Sequence, residues 1–512
     1  MKLSSLVQDI KDVHVQGKDD PDIASLHYDS RTVISGGLFF AVPGLKSDGH
    51  RFINDAIQRG ARGIVSEYVV DCGDIPIVRV QDVRLAMSHI ASLFYKRPSA
   101  ELCLIGITGT NGKTTTAYLT EAILAAAGFR VGVIGTINYR FNGKIYPHSL
   151  TTPESIDLHR LLRDMVDSGV SHVVMEVSSH ALDLHRVDHC KFDVAAFTNL
   201  SQDHLDYHKS MSGYFACKKR LFTELLQTGT AVINADDRWG ADIAHTLKAL
   251  PCITTGCSEK ETIWAEDIRI TRKNAIGVIH IPGGSFPFQS SLIGRHNIYN
   301  MMSATGIGVA LNISAETIKT GLIAINSIPG RLEPVVNDCG MFVVVDYAHT
   351  PDALEKVLGS LRETDKGRLI TVFGCGGDRD KQKRPIMGDI VTRLSDLSVV
   401  TSDNPRSESQ NEIIKDIISG IQTNNIVGAD MCVRPYIKKY TTEELSNGFK
   451  EKGYIVIPDR KTAIIQGIKA AQPMDTVLIA GKGHETYQII GQDIIPFDDR
   501  QIAQGVLRDS LC

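Results

Sequence analysis

The segment Gly109-Thr110-Asn111-Gly112-Lys113-Thr114-Thr115 constrains this chain more than any other. It follows the apolar run Leu102 to Ile107 and opens the helix-like stretch Ala117 to Ala127, which Gly128 closes. A glycine-rich turn between strand and helix presents backbone N–H groups to phosphate oxygens at the positive end of the helix dipole. Lys113 would then reach the outer phosphates, and the Thr114 hydroxyl would face Mg²⁺. Where the usual P-loop carries its first glycine, this chain has Ile107, so the loop is two residues tighter and starts at Gly109. The segment is expected to bind a nucleotide phosphate.

Strand–helix alternation around this loop predicts an α/β fold with a parallel sheet and helices on both faces. A helix is expected from Pro153 to Gly169, with strands at Val131 to Ile137, His172 to Val177, Asp193 to Thr198 and Thr230 to Asn234. Residues 252 to 293 lack the alternation and read as a strand-rich appendage. Past Pro329-Gly330-Arg331 the alternation restarts, with strands at Met341 to Asp346, Arg368 to Phe373, Leu397 to Thr401, Tyr454 to Ile457 and Thr476 to Ala480. That is a Rossmann-like unit without a dinucleotide fingerprint, because the third glycine after Gly374 would fall at Arg379. Before the loop lies a small mixed α/β unit, ended by Lys96-Arg97-Pro98-Ser99. Three domains are expected: 1–98, 99–330 (the P-loop unit) and 331–512.

With 43% hydrophobic and 22% charged residues, a chain of 512 residues can bury several cores. A formal net charge of -4, without a long Lys/Arg run, argues against nucleic acid as a partner. Ten scattered cysteines, Cys432 and Cys512 among them, form no C-x-x-C pair, which speaks for a reducing compartment. The N-terminus has no apolar signal core, and no run reaches ~18 apolar residues. The expectation is a cytoplasmic monomer without membrane contact.

Glu176-Val177-Ser178-Ser179-His180 closes an apolar strand at its carboxyl end, where α/β ligand sites gather. Glu176 suits Mg²⁺ beside the phosphates; the competing reading is a cap on the next helix. The next strand runs into the dense polar cluster Asn199 to His208, in which neutral His204 could ligate a metal or be structural.

Taken together the residues resemble the Mur ligases, ATP-dependent amide-forming enzymes of peptidoglycan precursor synthesis. The resemblance rests on Gly109–Thr115, Glu176–Val187, Asn199–His208, His296-Asn297-x-x-Asn300, Pro329-Gly330-Arg331 and Asp346-Tyr347-Ala348-His349-Thr350-Pro351, in order and spacing across essentially the whole chain. Within the family they are most similar to the branch that adds the third peptide residue to UDP-N-acetylmuramoyl-L-alanyl-D-glutamate. The resemblance implies a UDP-binding first domain, a central ATPase domain and a C-terminal amino-acid-binding domain. It implies attack of the substrate carboxylate on the γ-phosphate of ATP, then displacement of phosphate by an amine. Such chemistry is mostly positioning and charge neutralisation, here through Lys113 and Mg²⁺.

By the same resemblance Lys218 is the lysine that CO₂ converts to a carbamate, making Thr114, Glu176, His204 and the modified Lys218 the metal set. Read alone, Lys218 could be a surface residue beside Lys219 and Arg220. Asn297, Asn300, Arg331, His349 and Asp352 are implied ATP contacts, although Asn297 could cap its helix and Arg331 could be a linker charge. Ser30, Thr151, Thr152, Ser178 and Arg186 are implied contacts of the UDP-muramoyl-dipeptide; Leu184 stands where the family has Gln.

Asp403-Asn404-Pro405-Arg406 resembles the signature of the members that add meso-2,6-diaminopimelate. That substrate has a distal carboxylate that lysine lacks, and a guanidinium fork binds it bidentately. An arginine facing bare lysine would be left unpaired, which penalises the wrong substrate. Arg379, Gly481 and Glu485 complete the implied amino-acid site, with Glu485 suited to an ammonium; the competing reading pairs Arg406 with Asp403. A lysine-adding relative, a folylpolyglutamate synthetase and a non-catalytic nucleotide-sugar-binding regulator are the alternatives.

Overall fold

A computed structural model of the protein describes residues 1–44, 47–146, 150–364, 367–423, 437–446 and 448–510; Cys432 and Cys512 lie outside them. Three sheets carry the fold. The first has five strands in the order His14–Gln16, Ile77–Arg79, Ala61–Ser66, Gly37–Phe40, Ser25–His27, antiparallel only at the His14–Gln16 edge. Helix Val83–Phe94 covers it. Asp82 caps the helix by accepting from Leu85 N, and Val83, Ala86, Met87, Ile90 and Ala91 fall on one face that packs on Leu38, Phe40, Val65 and Val78.

In the second sheet, of eleven strands, the P-loop strand Cys103–Thr108 runs between His172–Glu176 and Val194–Phe197, parallel to both. A strand buried on both faces needs an unbroken apolar run, and Leu104 to Thr108 are all buried. Val131–Ile134 is shorter than expected, because the chain turns at Gly135, whose N–H reaches Asn138 O. Residues 252 to 290 are strand-rich as expected and belong to the same domain, as a direct continuation of this sheet. Cys252–Gly256 pairs in parallel with Thr230–Asn234 and with Ile263–Ile270, from which the antiparallel meander Ile263–Ile270, Ala275–Ile281, Gly284–Ser290 extends the edge.

The third sheet orders its seven strands Glu333–Val335, Phe342–Asp346, Thr476–Ala480, Leu369–Phe373, Leu397–Val400, Gly453–Val456, Lys438–Lys439. All neighbours are parallel except Glu333–Val335. A hairpin, Tyr487–Ile490 with Asp493–Pro496, follows the strand Thr476–Ala480. In the second and third sheets the loops at the carboxyl ends of the strands hold most of the residues singled out above. No described helix is long and apolar enough to cross a membrane.

Candidate active site

Helix Lys113–Ala126 starts directly after the glycine loop. Gly109 (φ +147°) and Gly112 (φ +87°) take conformations that side chains disfavour, and a Cβ at either would lie 1.9 Å from Thr198 Oγ1 or 2.3 Å from Asn300 Oδ1. Asn199 braces the loop from below. Its Oδ1 accepts from Asn111 N (3.0 Å) and its Nδ2 donates to Asn111 O (3.0 Å). Lys113 Nζ lies back across the loop and donates to Gly109 O (3.0 Å) and Thr110 O (2.9 Å). Burial pulls its pKa below that of free lysine, while Glu176 and Asp203 oppose the shift.

Glu176, at the end of its strand, is 1% exposed. Its Oε2 accepts from Thr114 Oγ1 and Thr136 Oγ1, both at 2.9 Å, and its Oε1 from Thr136 N at 2.9 Å. It does not cap the next helix; Ser178 does, accepting from Ala181 N. Thr114 and Glu176 thus place two hard oxygen donors side by side at the phosphate end of the loop. Among the described residues no three His, Cys, Asp or Glu side chains form a metal cage. That donor set fits Mg²⁺, which takes one or two carboxylates and fills its shell with phosphate oxygens and water.

Lys218 sits on helix Met211–Arg220 and is 1% exposed. It is not part of a basic surface stretch: Lys219 pairs outward with Asp242, half-buried Arg220 bridges Glu224 and the buried Asp188, and Lys218 Nζ turns in to donate to Gly109 O at 2.8 Å. Burial first, and the charge of Lys113 second, drive its pKa well below that of free lysine. His204 takes a left-handed backbone (φ +53°) beside the same loop. Burial lowers its pKa to about 4 against the pull of Asp203, so the imidazole is neutral and able to ligate. Burial opposes ionisation of Asp203, but surrounding positive charge, that of Lys383 included, and the His204 backbone N–H, which donates to Asp203 Oδ1 at 2.9 Å, outweigh it and favour the carboxylate.

The third sheet closes over the loop. Asp352 Oδ2 accepts from Asn111 Nδ2 (2.8 Å) and Ser201 Oγ (2.9 Å), and Arg331 Nη2 donates to Thr114 Oγ1 (3.1 Å) with its guanidinium 4.6 Å above the Tyr347 ring. Arg331 is therefore more than a linker charge. Between the two sheets lies a cavity of about 650 Å³ lined by Thr110–Thr115, Glu176, His204, Asn297, Asn300, Arg331 and His349. Asn297 does not cap its helix, Arg295–Ala310, which starts after Gly294; its Nδ2 donates back to Ile293 O (2.7 Å) and its Oδ1 accepts from Asn300 Nδ2 (3.0 Å). The cavity also takes in Asp203, Asp236, Tyr299, Tyr347 and Lys356, to which the sequence reading gave no role.

Thr151 and Ser178 reach this cavity from one side. Thr152 Oγ1 donates to Glu176 O (2.8 Å), and Arg186 Nη1 donates to Thr152 O (3.2 Å). Arg186 and Arg84, from the first sheet's helix, grip Glu154 at 2.8 and 3.2 Å. Ser30 is buried on the turn Ser30–Thr32 of the first sheet's unit and does not line the cavity. Nearby, Tyr28 OH donates to Asp157 Oδ2 at 2.6 Å.

Arg379, Asp403, Asn404, Pro405, Arg406, Gly481 and Glu485 form a second cluster, outside that cavity. Arg406 (φ +51°) does not pair with Asp403. Its Nη1 donates to Gly377 O at 2.7 Å, and neither Arg406 nor Arg379 is in an ion pair among the described residues. Burial and the charge of Arg379 lower the pKa of Arg406 against the opposing pull of Asp403, Glu485 and Asp378. Gly481 (φ +118°) brings the chain against Asp403, where a Cβ would lie 2.8 Å from Oδ2. Glu485 is not free: its Oε2 accepts from Lys482 Nζ (2.8 Å) and Asn404 Nδ2 (2.9 Å). Lys482, fully buried, was missed because a lysine between two glycines carries no sign of where it points.

Three family models match the chain: "Mur ligase family, catalytic domain" over residues 22–95, "Mur ligase middle domain" over 107–308 and "Mur ligase, glutamate ligase domain" over 330–483. A UDP-N-acetylmuramoyl-L-alanyl-D-glutamate–2,6-diaminopimelate ligase of Geobacter metallireducens is 47% identical over 519 residues, covering 99% of both chains. The ligase of that name from Geobacillus kaustophilus is 42% identical, covering 99% of this chain and 100% of its own. A solved structure of such a ligase superposes with a TM-score of 0.68 at 29% identity, covering 99% of both chains. Folylpolyglutamate synthase of Mycobacterium tuberculosis, at 18% identity and a TM-score of 0.60 over 76% of this chain and 91% of its own, shares the fold.

Proposed function

The chain belongs to the Mur ligase family, and we propose that it joins meso-2,6-diaminopimelate to UDP-N-acetylmuramoyl-L-alanyl-D-glutamate with conversion of ATP to ADP and phosphate. It acts in the cytoplasm as a monomer, in peptidoglycan precursor synthesis. Residues 1–98 hold the UDP end through Ser30, 99–330 bind ATP, and 331–512 bind the incoming amino acid. Two features carry the reading: the guanidiniums of Arg379 and Arg406, in no ion pair among the described residues, and the phosphate loop with Glu176 beside it at the edge of the cavity.

The loop N–H groups and Lys113 hold the phosphates. On binding, Lys113 exchanges its two loop carbonyls for phosphate oxygens. Asn297, Asn300, Arg331, His349 and Asp352 enclose the nucleotide, which excludes water from an acyl phosphate prone to hydrolysis. Thr151, Thr152, Ser178 and Arg186 aim the dipeptide carboxylate at the γ-phosphate, because Thr152 is bonded to the backbone of Glu176 itself. Mg²⁺, held by Thr114 and Glu176 and by His204 with carbamylated Lys218, supplies neutralisation of the charge developing on the transferred phosphoryl group.

Burial drives the pKa of Lys218 well below that of free lysine, which favours the neutral amine, the form that attacks CO₂. Its N–C bond forms as one C=O π pair of CO₂ moves onto oxygen and one N–H proton passes to solvent, leaving a carbamate anion. Arg406 and Arg379 take the distal carboxylate of diaminopimelate, while Glu485, with Asp403 and Asn404 at its side, orients an ammonium. The test is phosphate release from ATP by the purified protein with the UDP-dipeptide and one amino acid at a time. Release that requires diaminopimelate supports the reading; release indifferent to the amino acid opposes it.

A further inference from the structure

We propose that Arg384 and Glu408, with Asp378 and Ser407, form a positioning brace that sets the separation of the two guanidiniums, Arg379 and Arg406; this rests on the diaminopimelate reading above. The two arginines stand on different loops, Gly374 to Asp380 after one strand and Asp403 to Glu408 after the next. Both loops hold a strained residue beside or at the arginine: Asp378 (φ +52°) precedes Arg379, and Arg406 itself has φ +51°. A non-glycine residue persists in that region only where its surroundings over-determine it.

Here the surroundings do. Glu408 Oε1 accepts from Asp378 N at 2.6 Å, so the residue after the second arginine's loop grips the residue before the first arginine. In return, the Asp378 carboxylate accepts from Ser407 Oγ (2.6 Å) and Ser407 N (3.3 Å). Gly377 N donates to Asn404 O (2.9 Å), and a Cβ on Gly377 would lie 1.8 Å from Pro405 O, so the loops cannot slide past each other. Beneath them Arg384, 1% exposed, holds Glu408 with both ends of its fork at 2.9 and 3.1 Å, and also bonds Asp416 and Gly376 O. The Arg384 guanidinium and the Asp378 N–H drop the pKa of Glu408 to about 2, so the brace is charged across the working pH range. From the other side, the hairpin pins Arg406 through Arg406 N to Ile489 O (3.1 Å) and Gly491 N to Arg406 O (2.7 Å).

None of the four residues need touch substrate. Two guanidiniums clamp one carboxylate only at a fixed spacing, and the brace supplies it; lysine, with no distal carboxylate, gains nothing from it. Glu408→Gln keeps the size and one acceptor but removes the charge that holds Arg384 and Asp378 N together. The expected result is a Michaelis constant for meso-diaminopimelate raised about tenfold or more, as loss of a charge-assisted bond or a displacement near 1 Å produces. The constants for ATP and the UDP-dipeptide, the kcat at saturating diaminopimelate and the residual kcat/KM for L-lysine should stay within about threefold. Ser407→Ala, which leaves the buried pair intact, should give a smaller shift in the same single constant and serves if Glu408→Gln proves poorly folded by circular dichroism. Equal changes in every constant, or none in that for diaminopimelate, in a folded variant would overturn the brace. An unmodified enzyme that ignores diaminopimelate would instead overturn the reading beneath it.

Discussion

Lys113 and Lys218 donate to one acceptor, the carbonyl oxygen of Gly109, at 3.0 and 2.8 Å. Burial lowers the pKa of both lysines; with repulsion from Lys113 added, that of Lys218, 1% exposed, is driven well below free lysine. The same contact joins the phosphate loop to helix Met211–Arg220. In the proposed reading the pair divides the work, with Lys113 the cation for phosphate and Lys218 the amine for carbamylation.

Lys113→Ala removes the cation that serves the outer phosphates, and phosphate release should fall by at least ~10²-fold. Turnover near that of the unmodified enzyme would rule out the loop assignment.

Lys218→Ala should be nearly inactive and partly restored by short carboxylic acids in solution, which can replace the carbamate. Carbon-13 NMR of the unmodified enzyme in labelled bicarbonate should show a carbamate carbon that the variant lacks. Absence of that signal from active enzyme would contradict the assignment.

Much of this was legible in the residues before the fold was known, and the reasons differ by element. The P-loop could be read because glycines at 109 and 112 are required by backbone geometry, which leaves a local trace. The strands Thr230–Asn234 and Thr476–Ala480 fall where their apolar runs place them. What stayed hidden was direction and distance. Nothing in Lys218-Lys219-Arg220 says that the first turns in to the loop, the second out to Asp242 and the third to Glu224 and the buried Asp188, because three consecutive helical residues face three ways. Asp203, Lys482 and the Arg384–Glu408 pair take their roles from residues far off in the chain, and no local pattern records that.

Arg460 and Asp499 form a bidentate pair, at 2.9 and 2.6 Å, with both side chains fully buried behind the amino-acid loops. Asp499→Ala leaves a buried cation unpaired and should cost about 3–5 kcal/mol of stability in urea unfolding. A loss below about 1 kcal/mol would show that solvent reaches the pair.

His159 is fully buried on helix Ser155–Asp167, and burial lowers its pKa from 6.5 to about 3. The unfolded chain therefore binds a proton below pH 6.5 that the folded one refuses, and stability contributed by the neutral ring is lost as pH falls from 6.5 towards 3. His159→Gln should flatten that part of the acid limb, which amounts to roughly 5 kcal/mol at most. An unchanged slope of unfolding free energy against pH would refute the buried, neutral assignment.

The central claim, that the Arg379–Arg406 pair selects a substrate with a distal carboxylate, is tested most directly by competition. Equal meso-diaminopimelate and L-lysine would be offered with ATP and the UDP-dipeptide, and the products weighed by mass spectrometry. The unmodified enzyme should yield the diaminopimelate product almost alone. Arg406→Ala should lose about 2–5 kcal/mol of diaminopimelate binding with little change for ATP, so the preference should collapse. Equal incorporation of lysine by the unmodified enzyme, or undiminished selectivity in Arg406→Ala, would contradict the account.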